Sequence, residues 1–200
     1  MRVIAGTLKS RSLIAPPRGA RPTSDRVRES LFSALGNLEA ARVLDLFAGS
    51  GALGIEALSR GAEIAVFVDS GRASLGALRR NLATLELASV STVMPVSAAQ
   101  AIRTLGERGE SFDLVFIDPP YEANLHIPTL GALRGTALVD AQTVVVAERA
   151  KRHPLDPEAL EGWAIERERT YGDTVLVELR LREGIEPVTK AQEAVGSNDG

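Results

Sequence analysis

Between residues 41 and 150 the chain alternates apolar runs of strand length with amphipathic stretches, and that rhythm limits the folds open to it more than any other feature. The runs are Arg42 to Phe47, Ile64 to Asp69, Val90 to Val96, Phe112 to Asp118 and Thr143 to Arg149. Their nearly continuous apolarity suits strands covered on both faces, because a half-exposed strand alternates polar and apolar residues. Helical candidates lie between them at Ala52 to Arg60, Arg72 to Leu85, Ala98 to Glu107 and Asn124 to Leu133. Strand then helix, repeated, predicts an α/β fold: a parallel sheet with right-handed crossovers and helices on both faces. Ligands of such sheets bind outside the carboxyl ends of the strands, where the strand order reverses. The residues that end strands are therefore the functional candidates.

Two flanks break the rhythm. Upstream, Thr23 or Ser24 can cap a helix from about Asp25 to Leu35, with Leu31, Phe32 and Leu35 on one face. Val3 to Ala5 and Leu8 to Ile14 predict a short hairpin before it, followed by the loop Ala15 to Pro22. Downstream, Ala164 to Arg169 and Thr174 to Leu181 flank Tyr171-Gly172-Asp173 and predict an antiparallel hairpin closing the sheet. Tyr171-Gly-Asp-Thr reads as its turn, the alternative being a loop bent toward the active site.

Composition removes several classes of chemistry. At 200 residues the chain can bury roughly 70% of its unfolded surface and needs no covalent staple. With no Cys and two His, there is no thiolate nucleophile, disulfide framework, iron–sulfur cluster or histidine-rich metal site, and no metal is expected. His126 and His153 read as surface or loop residues, and Trp163 and Phe67 as core. No apolar run approaches the roughly 20 residues that span a bilayer, and the first residues lack a signal peptide's apolar centre, so a soluble cytoplasmic protein with no membrane partner is expected. Charge is polarised. Residues 1–28 hold Arg2, Lys9, Arg11, Arg18, Arg21, Arg26 and Arg28 against one acid, Asp25, a local charge of +6 that leaves −9 on the rest of a chain of net charge −3. A basic arm on an acidic body suits a polyanion gripped at one place, the alternative being a solvated Arg-rich surface.

The first strand runs into Asp45-Leu-Phe47-Ala48-Gly49-Ser50-Gly51-Ala-Leu-Gly54. Its glycines fit G-x-G-x-x-G, with Asp69 and Ser70 ending the second strand. Such a loop lets backbone approach a ligand, and the Asp69 carboxylate can accept hydrogen bonds from ribose hydroxyls, which specifies an adenosine-type ligand without saying which. Asp45 favours a cationic one: it would repel a pyrophosphate, whereas the sulfonium and ammonium groups of S-adenosyl-L-methionine would be attracted. The competing readings are that Asp45 caps the following turn and Asp69 the following helix.

The fourth strand ends in Asp118-Pro119-Pro120-Tyr121, the most specific signal in the chain. Two prolines fix φ and delete two donors, leaving a stiff array of carbonyl acceptors beside a carboxylate. An exocyclic NH2 of a nucleobase can donate both N–H bonds there, which turns its lone pair toward a methyl carbon, and Tyr121 offers a face for stacking. As a bare tetrapeptide it could also be a rigid surface turn.

These two strand ends, in this order, resemble the S-adenosylmethionine-dependent amino methyltransferases of nucleic acids. More narrowly, the Arg2-Val-Ile-Ala-Gly start, Arg21-Pro-Thr-Ser-Asp-Arg-Val-Arg-Glu-Ser-Leu-Phe, Leu58-Ser-Arg-Gly-Ala and Tyr171-Gly-Asp-Thr together resemble the RsmD family of bacterial 16S ribosomal RNA guanine-N2 methyltransferases, over about residues 2 to 181. The resemblance implies a Rossmann-like, seven-stranded class I methyltransferase sheet over residues 39–182 and a small basic N-terminal extension at 1–38 that grips RNA; residues 183–200, punctuated by Gly and Pro with scattered apolar residues, read as a disordered tail. It also implies 16S rRNA as partner, within the 30S subunit or an assembly intermediate; a monomer is expected. The family often carries an acid at the end of the third strand, where this chain has Ser97 and Ala98, so only a weak cofactor contact is expected there. Residues alone do not separate guanine N2 from adenine N6 or cytosine N4. Two rivals stand beside this reading: a nicotinamide-dependent oxidoreductase, which the glycine spacing allows, and a non-catalytic ribosome-assembly protein.

Overall fold

A computed structural model describes residues 1–15, 24–120 and 124–184. Arg18, Arg21, Tyr121 and all but the first two residues of the expected tail at 183–200 lie outside the described residues. Among the described residues the alternation resolves into α1 (Asp25–Leu35), β1 (Arg42–Leu46), α2 (Ala52–Ser59), β2 (Ile64–Val68), α3 (Arg72–Thr84), β3 (Ser91–Met94), α4 (Ala98–Glu107), β4 (Leu114–Ile117), α5 (His126–Arg134), β5 (Val144–Ala150), β6 (Trp163–Tyr171) and β7 (Thr174–Leu181). The sheet order is β3-β2-β1-β4-β5-β7-β6. Strands β1 to β5 run parallel, and β7 lies antiparallel between β5 and β6. Order reverses between β1 and β4, whose carboxyl ends are neighbours, with Leu46 opposite Ile117.

Both faces of the central strands are buried, which is why their sequences show no polar alternation. Leu44, Leu46, Val66, Val115, Ile117 and Val145 pack toward α4, α5 and Trp163. Val43, Ala65, Phe67, Leu114, Phe116 and Val146 pack toward α1, α2, α3 and the N-terminal segment. Fully burying one such side chain contributes about 1.5–3 kcal/mol. Phe32 of α1 meets Phe116 of β4 at 5.8 Å between ring centres, a tilted contact that locks α1 over the middle of the sheet. Trp163 and Phe67 are core, as expected.

The N-terminal hairpin forms as expected, as a short one: Val3 N–H donates to the Arg11 carbonyl at 3.0 Å, Ser10 N–H to the Val3 carbonyl at 2.9 Å and Leu13 N–H to the Met1 carbonyl at 2.9 Å. Its two arms share one isolated bridge, Arg2 with Ser12. The tip of the hairpin is docked on α2: Ile4 and Ala5 N–H donate to the Glu56 carboxylate at 2.7 and 3.0 Å, Thr7 N–H to the Ser59 carbonyl at 2.7 Å and Leu8 N–H to Ser59 Oγ at 3.0 Å. Gly6 makes this approach possible, because a Cβ there would lie 1.7 Å from the Ser59 carbonyl oxygen. The β6–β7 hairpin forms as expected, turning at Gly172 with φ 59°. The Tyr171 hydroxyl hydrogen-bonds Ser30 of α1.

Candidate active site

The turn from β1 into α2 is shaped by packing on one side and left open on the other. Gly51 (φ 87°) precedes α2, and a Cβ there would lie 2.5 Å from Leu78. Gly54 lets α2 settle on β2, since its missing Cβ would lie 2.4 Å from the Phe67 ring. Gly49 differs. It has φ 58°, yet nothing lies within 4 Å of where its Cβ would be, so its left-handed backbone faces open space in which a ligand can approach. Phe47 also has positive φ, 71°, a strained state for a residue with a side chain. Ala48 is held to β2 by its N–H on the Val68 carbonyl at 2.8 Å, and Ser50 is buried with its carbonyl accepting from Asn81 Nδ2 at 2.9 Å.

Carboxylates surround this loop. Asp45, buried at the end of β1, accepts from the Gly54 N–H at 3.0 Å, so it braces the first turn of α2 while facing the switch point. Asp69, just beyond β2, accepts from Gly49 N–H at 2.8 Å with one oxygen and from Gly71 N–H at 2.6 Å with the other. It thereby ties the glycine loop to the entry of α3, and Ser70 beside it is exposed. Asp118 is half-buried just past β4, followed by buried Pro119 and exposed Pro120.

Burial and mutual repulsion lift two of these acids. Asp45 is pushed up to about 7, mainly by burial, opposed by the Gly54 hydrogen bond and assisted by the Asp69 charge. Asp118 is raised well above the ordinary carboxylate range by burial, then by the Glu148 and Asp45 charges. Acids held this way bind protons for want of a cation. A pyrophosphate would deepen the repulsion and a positively charged ligand would relieve it.

Glu148 is the residue that sequence reasoning passed over. It is buried near the end of β5, one position beyond the Ile117–Ala147 pair, and therefore beside Asp118 on the same sheet face. An acid inside the apolar run Val144 to Ala150 was the available signal. His126 is a correction: it opens α5, half-buried, and donates from Nε2 to the Glu148 carbonyl at 2.7 Å. Burial lowers its pKa, which keeps the ring neutral. It pins the start of α5 to β5.

The remaining candidates divide. Ser97 Oγ caps α4 by accepting from Gln100 N–H at 3.3 Å, and Ala98 is buried beneath it. In the arm, Arg2, Lys9, Arg11 and Arg26 are exposed, Arg2 pairing loosely with Asp25 at 3.5 Å and Arg11 donating to the Thr84 carbonyl at 3.0 Å. Arg28 is a correction to the arm's surface cations. It is fully buried, bonded to the Arg2 carbonyl and Asp25 at 2.7 Å each and 3.9 Å from Glu56, so it holds the arm down and has no face for a phosphate.

The sheet itself decides between the nucleotide-binding folds. Nicotinamide-type Rossmann sheets run 3-2-1-4-5-6, whereas the antiparallel β7 inserted between β5 and β6 makes this chain a Rossmann-like class I methyltransferase in architecture. Solved structures agree: the Escherichia coli protein yhhF matches with a TM-score of 0.75 at 34% identity, covering 90% of this chain and 97% of that one. Among curated relatives, YlbH of Bacillus subtilis (strain 168) is 39% identical over 176 residues, 87% of this chain and 95% of that protein. Ribosomal RNA small subunit methyltransferase D of Escherichia coli (strain K12) is 36% identical over 174 residues, 86% and 85% of the two chains. A family model described as Conserved hypothetical protein 95 matches residues 1–180. The chain belongs to the RsmD family.

Proposed function

We propose that this protein transfers a methyl group from S-adenosyl-L-methionine to the exocyclic N2 amine of a guanine in 16S ribosomal RNA, presented in the 30S subunit or an assembly intermediate. The observation that carries the reading is the meeting of two strand ends: Asp45 with the open Gly49 backbone at β1, and Asp118-Pro119 at β4, side by side at the switch point. Relatives named as small-subunit rRNA methyltransferases support the RNA class, and the choice of guanine N2 among exocyclic amines follows the family.

The cofactor fits what the residues offer. Phe47, Ala48, Gly49, Ser50 and Gly51 supply backbone close to an adenosine-type ligand, and Asp69 lies where ribose hydroxyls would donate. Asp45 answers the positive charge. Bound there, S-adenosylmethionine supplies an electrophilic methyl group on a sulfonium sulfur.

The protein's task is then positioning, which is worth orders of magnitude as effective molarity. The Asp118 carboxylate and Pro119 carbonyl accept the two N–H bonds of the amine, and the Pro119–Pro120 backbone keeps those acceptors rigid. Tyr121 is the proposed stacking face for a base taken out of its helix. The nitrogen lone pair forms the new N–C bond as the S–C bond breaks in line, leaving S-adenosylhomocysteine. The proton released from nitrogen passes to Asp118 or to solvent. Arm cations hold phosphates without reading sequence.

Incubating labelled S-adenosylmethionine with free 16S rRNA, 30S subunits and assembly intermediates from a strain lacking the enzyme, then mapping the nucleoside by mass spectrometry, tests this. N2-methylguanosine in 16S rRNA is the expected product. Methylated adenine or cytosine would overturn the guanine assignment, and absence of transfer would overturn the reading as a whole.

A further inference from the structure

The N-terminal segment and α3 enclose a groove of about 750 Å³ lined by Ile14, Ala15, Arg72, Ala73, Gly76 and Ala77, with Arg80 at its far end. Positions 72, 76 and 80 recur every four residues, so they share one face of α3. The two arginines stand about 12 Å apart along the helix axis, with a saddle between them. The saddle is open because Gly76 has nothing within 4 Å of where its Cβ would be.

Charge is one-sided here. Helix α3 carries Arg72, Arg79 and Arg80, all exposed, and no acid, on a chain whose net charge is negative. None of the lining residues is acidic. The groove is also anchored to the candidate active site. Asn81, buried on α3, accepts from Ile14 N–H at 2.8 Å, donates to the Ile14 carbonyl at 3.2 Å and donates to the Ser50 carbonyl at 2.9 Å. One side chain thus fixes the groove wall and the glycine loop together.

We infer that this groove carries a single-stranded RNA segment flanking the target nucleotide, with Arg72 and Arg80 on its phosphates and a ribose or base over the Ala73–Gly76–Ala77 floor. A row of cations with an apolar floor is the arrangement that tracks a nucleic-acid strand without reading its sequence. The inference extends the RNA surface from the arm onto α3. It rests on the rRNA reading above.

The test measures binding of unmodified 16S rRNA, as transcript and within 30S subunits and assembly intermediates from a strain lacking the enzyme, across a salt series. Arg72→Ala with Arg80→Ala removes two phosphate contacts, so the slope of log affinity against log salt should fall in magnitude by about 1.4, from about 0.7 per phosphate on a single strand. Gly76→Phe fills the saddle without changing charge and should weaken rRNA binding severalfold. S-adenosylmethionine affinity by calorimetry should stay at the wild-type value in both variants, which separates a lost groove from a lost fold. Wild-type rRNA affinity and slope in both variants would overturn the groove while leaving the methyltransferase reading intact. Equal binding of polyglutamate, lost on the same substitutions, would assign the groove to acidic proteins instead. A wild-type protein that binds neither the transcript nor the particles would overturn groove and rRNA reading together.

Discussion

Asp118 and Asp45 sit at adjacent strand ends and repel each other, yet the proposed roles separate them, and substitution should separate them in measurement. Asp118→Ala removes an acceptor for the amine, so methyl transfer should fall on the order of a hundredfold or more, while S-adenosylmethionine affinity by calorimetry changes little. Near-normal activity would remove Asp118 from the mechanism. For Asp45 the sign of the pH dependence is fixed. Its folded pKa of about 7 stands above the ordinary 3.8, so between roughly pH 4 and 7 the folded protein keeps a proton that the unfolded chain has released. Stability attributable to this group is therefore greatest at low pH and declines as pH rises through that window, by up to about 4 kcal/mol. Asp45→Asn keeps an oxygen for the Gly54 N–H and cannot ionise. Urea denaturation should show the variant gaining on the wild type from pH 5 to pH 8, and its S-adenosylmethionine affinity should lose at least about tenfold at pH 8, one charge-assisted contact being worth about 1.5–3 kcal/mol. A stability difference that does not change with pH would show that burial does not strain the Asp45 charge.

Among the elements, α2 serves two masters, bearing the glycine loop at its start and the N-terminal segment along its flank. Glu56 is the hinge of that arrangement. It is fully buried, accepts from Ile4 and Ala5, pairs with Arg60 at 2.8 Å and lies 3.9 Å from Arg28, while Arg60 in turn covers the Phe32 ring at 5.0 Å. Glu56→Ala leaves Arg28 buried beside no carboxylate on α2 and strips two backbone donors of their acceptor. A loss of about 3–5 kcal/mol is expected, a fall in Tm of roughly 6–20 °C for a chain this size, read by calorimetry; an unchanged Tm would show that the arm is held by apolar contacts alone. The same elements show what the sequence could and could not disclose. The strand–helix alternation was legible because both sheet faces are covered, so burial wrote itself into local composition. The meeting of β1 and β4 followed from the rule for strand order. Arg28 looked like one more surface cation because its neighbour Asp25 reads as an ordinary i,i+3 surface pair, while the Arg2 carbonyl and Glu56, which complete its burial, lie 26 and 28 positions away. Glu148 and His126 were hidden because their significance is tertiary: Glu148 reaches Asp118 through the register of β4 and β5, and His126 meets the β5 backbone from α5. The short motifs were legible as text and opaque as physics until the fold paired them: Gly6 of the first with Ser59 of the third, and Ser30 of the second with Tyr171 of the last.

Over the whole molecule, the polarised charge suggests a detachable basic arm, and the packing argues for a different kind of unit. Val3 and Leu13 of the N-terminal segment and Val27, Leu31 and Phe32 of α1 share one core with Val43, Phe67, Phe116 and Leu176, drawn from the central strands and from β7. No separate hydrophobic core is available to residues 1–38 among those described, and a segment without its own core does not unfold independently. Calorimetric unfolding of the full chain should therefore show a single transition whose calorimetric and van't Hoff enthalpies agree. Deleting residues 1–15 should lower the Tm of the remainder, since it exposes Glu56 and opens the cavity that Val3 and Leu13 fill, at about 1.5–3 kcal/mol for each buried side chain lost. Two resolved transitions in the full chain, or a truncated protein as stable as the intact one, would make the arm a true appendage. With a single transition, the proposed RNA-gripping surface and the proposed methyl-transfer cleft are parts of one rigid body, and their spacing is set by α2 and α3 rather than by any linker.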